Sequence, residues 1–227
     1  MGVPRVSVVL PVFNGARFLA DALTSIVAQE VQALEVIVVD YGSTDESFAI
    51  AEAWRPPLRT LRQPNAGPTA ARNRGIEIAQ GELIAFLDAD DLWPAGSLRR
   101  HCVILDSWPE LDFVLGRARV EHAERSAAAR FRSAEESIAI FSFGAGLFRR
   151  RAFDRVGLLS EDLRNVEDTD WFMRARDAGL DWLPIEDVGL VYRRRQGTAS
   201  RPLPASQVFQ VLARASARRR TKPKDVP

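Results

Sequence analysis

Leu83-Ile-Ala-Phe-Leu-Asp88-Ala-Asp90-Asp91 is a short apolar run that ends in three carboxylates. It has no helical period, which fits a strand buried on both faces rather than half-exposed. The segments before it repeat the pattern. Val6-Ser-Val-Val-Leu10, closed by Pro11, and Val36-Ile-Val-Val39 are β-branched runs of the same kind, and Leu58 to Leu61 is a weaker one. Helical spacing fills the gaps: Leu19, Ala22, Leu23 and Ile26 form one apolar stripe, and a second helix runs through Ala49 and Ala53 to stop before Pro56. Ser43 and Glu46 have capping-box spacing for that second helix, with Asp45 adding negative charge to its first turn. A third helix covers Ala70 to Ala79 and ends at Gly81.

Strand and helix alternating in this way predict an α/β fold, a Rossmann-like and mostly parallel sheet flanked by helices in a single domain. Ligands bind such sheets beyond the carboxyl ends of the strands. Here that rule selects Pro11 to Gly15, Asp40 to Ser43 and Asp88 to Asp91. Two carboxylates delivered to a crevice two residues apart, Asp88 and Asp90, suit a hard divalent cation that also bridges a diphosphate. Asp is equally at home in turns and helix caps, and a helix after Pro94 would use one of these acids in that way.

The second half is less regular. Leu98 to Leu105 reads as a helix and Phe113 to Leu115 as a strand, while the polar Ala/Arg-rich stretch Glu121 to Glu136 reads as a surface loop or exposed helix. Gly144 and Gly146, set among apolar residues, predict backbone packed closely against a neighbour or ligand. Asp168 to Ala178 is a helix stopped by Gly179, and Leu190 to Tyr192 is a final strand running into Arg193, Arg194 and Arg195.

Five motifs in register resemble family 2 glycosyltransferases of the GT-A fold: Val6 to Asn14, Val39 to Asp45, Asn65 to Gly67, Ala71 to Gly75 and Asp88 to Asp91. The likeness continues through Gly146, Glu167-Asp168 and Tyr192-Arg193, so it spans about residues 5 to 200. It implies a glycosyltransferase domain over 1–200, with a nucleotide-sugar half to about 95 and an acceptor and catalytic-base half from about 96. Residues 201–227 form a basic C-terminal helix or tail. The implied reaction is an inverting transfer from a nucleoside-diphosphate sugar, a UDP-sugar first among donors, assisted by Mn²⁺ or Mg²⁺ at Asp88 and Asp90. Pro11, Phe13, Asn14 and the Asp40 turn would surround the base, with Arg72 near base or phosphates and Asp88, Ala89 and Asp90 near ribose and metal. A positive side chain near a helix start suits phosphate on its own account.

An inverting displacement needs one carboxylate to take the acceptor's proton. Glu167, Asp168 and Asp170 are the candidates. Asp168 shares a face with Trp171, Phe172 and Ala175, whereas the face of Asp170 with Met173, Arg174 and Asp177 looks solvated. The family's Glu-Asp motif also places the base at Asp168. Two departures stand out. Tyr41 occupies a position where relatives commonly carry a second aspartate, so a carboxylate for a uracil ring nitrogen is missing and the base stays open. Arg195 stands where many relatives have a metal-binding histidine, and a guanidinium clamps phosphates instead, together with Arg193. Both departures also fit a catalytically degraded relative that binds nucleotide or a partner as a scaffold. A sugar nucleotidyltransferase would carry a Gly-rich, basic loop after the first strand, and Val12-Phe-Asn-Gly15 is not one.

The rest of the 227-residue sequence limits the possibilities. A 46% hydrophobic and 27% charged composition is that of an ordinary globular protein. The formal net charge of +1 gives no reason to expect a nucleic-acid partner. Arg214 to Lys224 is a basic stretch expected to be a solvated, frayed terminus, with peripheral contact to a membrane or acidic partner as its other use. Cys102, the single cysteine, fits a reducing, cytoplasmic setting and a buried structural thiol. No signal-peptide pattern or apolar run of membrane-spanning length is present. His101 and His122 lack metal-ligand spacing. Trp54, Trp93, Trp108 and Trp182 read as core or pocket walls, Trp93 and Trp171 standing out for their nearness to proposed catalytic acids. The acceptor (glycan, lipid carrier, peptide or small molecule) has no signature.

Overall fold

The computed structural model describes residues 6–55, 58–123, 131–163, 165–194 and 205–221. Its centre is strand β1 (Val6–Val12), buried along its whole length. Parallel neighbours flank it: β2 (Glu35–Asp40) on one side with β3 (Arg59–Arg62) beyond, and β4 (Leu83–Phe86) on the other. Because β4 pairs only with Val6 to Val9, Pro11 lies past that ladder and its missing N–H breaks nothing there. Helix α1 (Ala16–Val27) buries Phe18, Leu19, Ala22, Leu23 and Ile26, the stripe read from the sequence plus one aromatic. Helix α3 (Gly67–Ile78) lies so close to β1 that a Cβ on Gly75 would sit 2.2 Å from Val9 Cγ1.

One local expectation fails here. Helix α2 (Ser47–Ala53) begins four residues after Ser43, and no capping box forms. Asp45 caps instead: its Oδ1 accepts from the Ser47 N–H at 3.0 Å, and its Oδ2 accepts from the Ala16 N–H at 3.0 Å. Ser43 Oγ accepts from the Asn14 N–H at 3.0 Å, so the side chain expected to start a helix stitches two strand-end loops together.

Beyond β4 the sheet becomes mixed. Strand β5 (Phe113–Ala123), hairpin partner β6 (Phe131–Ala139), short β7 (Gly146–Arg149) and long β8 (Trp182–Arg194) complete it. The order is β3-β2-β1-β4-β7-β5-β6, with β8 parallel to β5 on its other edge. Within the stretch read as loop or exposed helix, the described residues 121–123 and 131–136 are therefore strand, and 124–130 lie outside the described residues. The close packing expected at the glycines is protein on protein. A Cβ on Gly146 would meet Val114 O and the Phe148 ring, both at 2.9 Å.

Helices α4 (Ser97–Ser107) and α5 (Arg150–Val156) cover this half together with α6 (Glu167–Asp177). Helix α4 buries His101 and Cys102, and burial presses the histidine down to about 4 and the thiol up to about 12, consistent with structural roles. The core under α6 is aromatic: Trp171, fully buried, lies within 6 Å of Phe113, Phe143, Phe148, Phe153 and Phe172.

Over its described residues, 214–221, the basic C-terminal stretch is helical and docked, not frayed. Helix α7 (Ala205–Thr221) packs Val211 with Leu163 and Val166. Arg214 pairs with Asp162, and Arg218 reaches Asp177 at 3.2 Å and Asp170 at 3.8 Å. An apolar side chain and two placed cations dock it. Residues 222–227 lie outside the described residues. No helix among the described residues is long and apolar enough to cross a membrane.

Candidate active site

Parallel β1, β2 and β4 end on one side of the sheet, so their loops converge, and α6 faces them across a cavity of about 610 Å³. On the strand-end side Pro11, Phe13, Asn14, Tyr41, Ala89 and Asp90 line it. Phe13, 40% exposed, stacks on Tyr41 with centroids 5.4 Å apart and planes 20° from parallel. Burial, aided by the nearby Asp88 charge, pushes the Tyr41 phenol up to about 12, so it stays neutral. Asn14 takes a left-handed backbone (φ 48°), and its Oδ1 accepts from the Thr44 N–H at 2.9 Å. Asp40 departs from expectation. It is fully buried behind this wall, its Oδ1 accepts from the N–H groups of Gly42 and Ser43 at 2.9 and 2.8 Å, and it does not line the cavity. Its first role is to shape the turn. Its Oδ2 is buried without a hydrogen-bond partner.

The three acids after β4 have separate fates, and none caps the following helix. Helix α4 begins after Gly96. Asp91 is buried and accepts from the Arg193 N–H at 2.9 Å; burial, then the charges of Asp90 and Asp88, drives its carboxyl well above the usual range. Leu92 and Val191 exchange two backbone hydrogen bonds, which tie this loop to β8. All three acids line the cavity wall, Asp91 from a buried position behind Asp88 and Asp90 in the chain.

Arg72, the sixth residue of α3, lines the cavity. It is buried, its Nη2 donates to both Asp88 oxygens at 2.7 and 2.9 Å, and its Nη1 donates to Glu167 Oε1 at 3.2 Å. Burial draws its pKa down, and Asp88, Asp168 and Glu167 more than reverse that. It is a strut between the two walls.

On the α6 side Glu167 and Asp168 line the cavity. The Phe143 N–H donates to Asp168 Oδ2 at 3.2 Å. The carboxyl is raised to about 7, first by burial and then by the charges of Glu167 and Asp88, against the pull of Arg72 and the Phe143 N–H. Asp170 overturns its expectation. It is 1% exposed, bonded by Ser160 and Arg174 at 2.8 Å each, and its face packs towards α7. The apolar stripe had ranked Asp168 and Asp170 by the core alone; it carried no information about a helix arriving from the far end of the chain.

Arg193 is also corrected. Its Nε donates to Asp90 O at 2.6 Å, its Nη1 to Asp21 at 2.9 Å, and its guanidinium lies over Phe18, so it braces the acid loop instead of lining the cavity. Arg195 lies outside the described residues. Trp93 donates from Nε1 to Gly144 O at 3.1 Å and is a wall brace, and Trp171 is core. The cavity also gains Ile140, Phe141, Ser142, Asn165 and Thr169, which the sequence reading did not single out. No spacing signal marks them.

Comparison with known proteins matches this architecture. The profile described as Glycosyl transferase family 2 covers residues 7–157. A curated relative, the uncharacterized glycosyltransferase YibD of Escherichia coli, is 43% identical over 90 residues, which are 38% of this chain and 26% of that protein. Among solved structures, S. aureus TarS 1–349 in complex with UDP-GlcNAc superposes with a TM-score of 0.76 at 21% identity, covering 98% of this chain and 68% of that one. The mannosyltransferase PcManGT from Pyrobaculum calidifontis in complex with GDP-Man and Mn²⁺ gives a TM-score of 0.69 at 22% identity, covering all of this chain and 67% of that one. The matched stretch makes up between 26% and 61% of the lengths of the first curated relatives.

Proposed function

The chain belongs to glycosyl transferase family 2, and from that premise we propose that it is an inverting glycosyltransferase that moves a sugar from a nucleoside-diphosphate donor to an acceptor hydroxyl. One observation carries the reading: Asp88 and Asp90 share a single cavity with Asp168, which stands on the opposite wall and titrates near neutrality. Residues up to about 95 serve the donor, and those from about 96 to 200 serve the acceptor and the base.

In this reading the Phe13–Tyr41 stack offers a flat apolar edge to a nucleobase, and the unpartnered Oδ2 of Asp40 lies in the turn behind it. Structures of similar fold hold UDP-GlcNAc in one case and GDP-Man in the other, so either base class is a reasonable probe. A UDP-sugar remains the leading donor.

A divalent cation, Mn²⁺ or Mg²⁺, fits the donor set. Asp88 and Asp90 offer hard oxygens on the cavity wall, and no group of three or more His, Cys, Asp or Glu able to hold a metal forms among the described residues. Two carboxylates suit an ion that completes its shell with diphosphate oxygens and water. Such an ion supplies neutralisation of the charge that develops on the departing diphosphate. The chain's own residues do the rest. Arg72 keeps Asp88 and Glu167 at fixed separation. The Phe143 N–H orients Asp168, which takes the proton of the acceptor hydroxyl as that oxygen bonds the anomeric carbon and the bond to the diphosphate oxygen breaks.

Calorimetric titration with UDP and GDP, with and without Mn²⁺ or Mg²⁺, tests the donor side. Binding is expected to depend on metal and to weaken at least tenfold in Asp90→Ala. Equal affinity with and without metal would count against the assignment. A second reading, a nucleotide-binding scaffold without turnover, draws on Tyr41 and on the grip of Arg72 upon both Asp88 oxygens. Tight binding with no diphosphate release from any donor would favour it.

A further inference from the structure

The aromatic core beneath α6 does not end at the protein surface. Phe113 stacks on Trp182 (5.5 Å, 9°), and Trp182 in turn meets Phe141 at 5.8 Å. Phe141 also leans on Phe172 at 5.3 Å, yet it is 55% exposed and lines the cavity. An aromatic ring supported by two others and left open towards a cavity is apolar surface that a ligand can cover. Phe141 also precedes by two residues the Phe143 N–H that holds Asp168, so ring and carboxylate hang from one short segment.

The same wall adds apolar Ile140 and three polar residues. Ser142 and Thr169 carry hydroxyls, and Asn165, exposed and held at φ 65°, has no side-chain hydrogen bond among the described residues. A left-handed asparagine costs backbone energy, and here it sits two residues before the helix bearing Asp168. An apolar ring rimmed by short hydrogen-bonding groups does not suit a long alkyl chain, which would leave the rim unsatisfied. It suits a pyranose, with C–H bonds on its faces and hydroxyls around its edge.

Resting on the transferase reading above, we propose that Phe141, with Asn165 and Ser142, is the acceptor platform, and that the acceptor presents a sugar ring stacked on Phe141 with one hydroxyl turned to Asp168. The acceptor class is then a glycan or glycoside, not a bare lipid or a peptide side chain.

Saturation-transfer NMR tests this without knowledge of the natural acceptor. The whole chain, loaded with UDP or GDP and Mn²⁺, is presented with a panel of methyl glycosides and, separately, with octanol and a serine peptide. Ring protons of at least one glycoside are expected to saturate, with the C–H face strongest. Phe141→Ala should weaken that binding about tenfold, Phe141→Trp should restore it, and Asn165→Ala should weaken it about threefold. Trp108→Ala, which removes another exposed aromatic away from the cavity, should change nothing. No glycoside binding, or Phe141-dependent binding of octanol or peptide alone, would overturn the platform. Glycoside binding lost in Phe141→Ala but without transfer of any donor sugar would keep the platform and defeat the transferase reading.

Discussion

The two walls of the cavity are built from different materials. The strand-end wall rests on aliphatic strands, Val6 to Val12 and Ile37 to Val39, crossed by helices at parallel-sheet geometry. The α6 wall rests on Trp171 and five phenylalanines within 6 Å of it, over a mixed sheet with an irregular β5–β8 register. Aliphatic strands hold loops in place through the ladder itself, so their side chains can be small. The α6 wall has no ladder at its helix, and large rings fix it by shape. The first wall therefore tolerates little intrusion, and the second tolerates little loss.

The largest effect should fall on chemistry alone. Asp168→Asn keeps the shape of the α6 wall and removes the proposed base, so kcat/KM should drop about 10³-fold while nucleotide affinity stays within a few-fold. An unchanged rate would leave both walls intact and the assignment of the base wrong.

Next come two substitutions that oppose the walls directly. Trp171→Ala should cost about 3–5 kcal/mol in denaturant unfolding by emptying the aromatic core. Gly75→Ala should cost about 2–3 kcal/mol by forcing α3 away from Val9. Equal tolerance of added and removed volume on both sides would erase the contrast.

A smaller effect comes through pH. With the Asp168 carboxyl near 7, kcat/KM should rise about tenfold per unit at low pH and level off above neutrality. Stability should move the other way. Below about 4 both folded and unfolded chains hold the proton. As pH rises from there to about 7 the unfolded chain has released it and the native one has not, so this site loses stability across that window. Asp168→Asn should thus be more stable than wild type at pH 8, by about 1–2 kcal/mol after allowance for partial solvation, and indistinguishable at pH 4. The smallest change is Arg214→Ala, which loosens α7 from Asp162 by less than about 0.5 kcal/mol because that pair is solvated.

The contrast also explains what could be read in advance. Period-two and period-3.6 patterns are local, so β1, α1, β2 and β4 and the acids after β4 were visible in the chain. The α6 wall depends on partners far apart in sequence. Asp170 looked solvated because Arg218, which meets it, belongs to a helix forty residues on. Arg193 looked like a phosphate clamp because nothing near it announces Asp21. Phe141 is an ordinary aromatic until Trp182 and Phe172 are placed beneath it. Ser43 misled for the opposite reason: its capping spacing was genuine, but Asp45 was nearer the helix start and took the role.

The two backbone bonds between Leu92 and Val191 carry a consequence for biosynthesis. On the ribosome the carboxylate loop emerges about a hundred residues ahead of the strand that pins it, and Arg193, which braces it, trails Asp21 by 172 positions. The amino-terminal parallel strands can assemble early, because β1, β2 and β3 are sequential neighbours and β4 adds to the free edge of β1. If the cavity takes the nucleotide proposed above, a firm foothold for it should form only once β8 has been translated, so polypeptides released before that strand ought to hold it poorly.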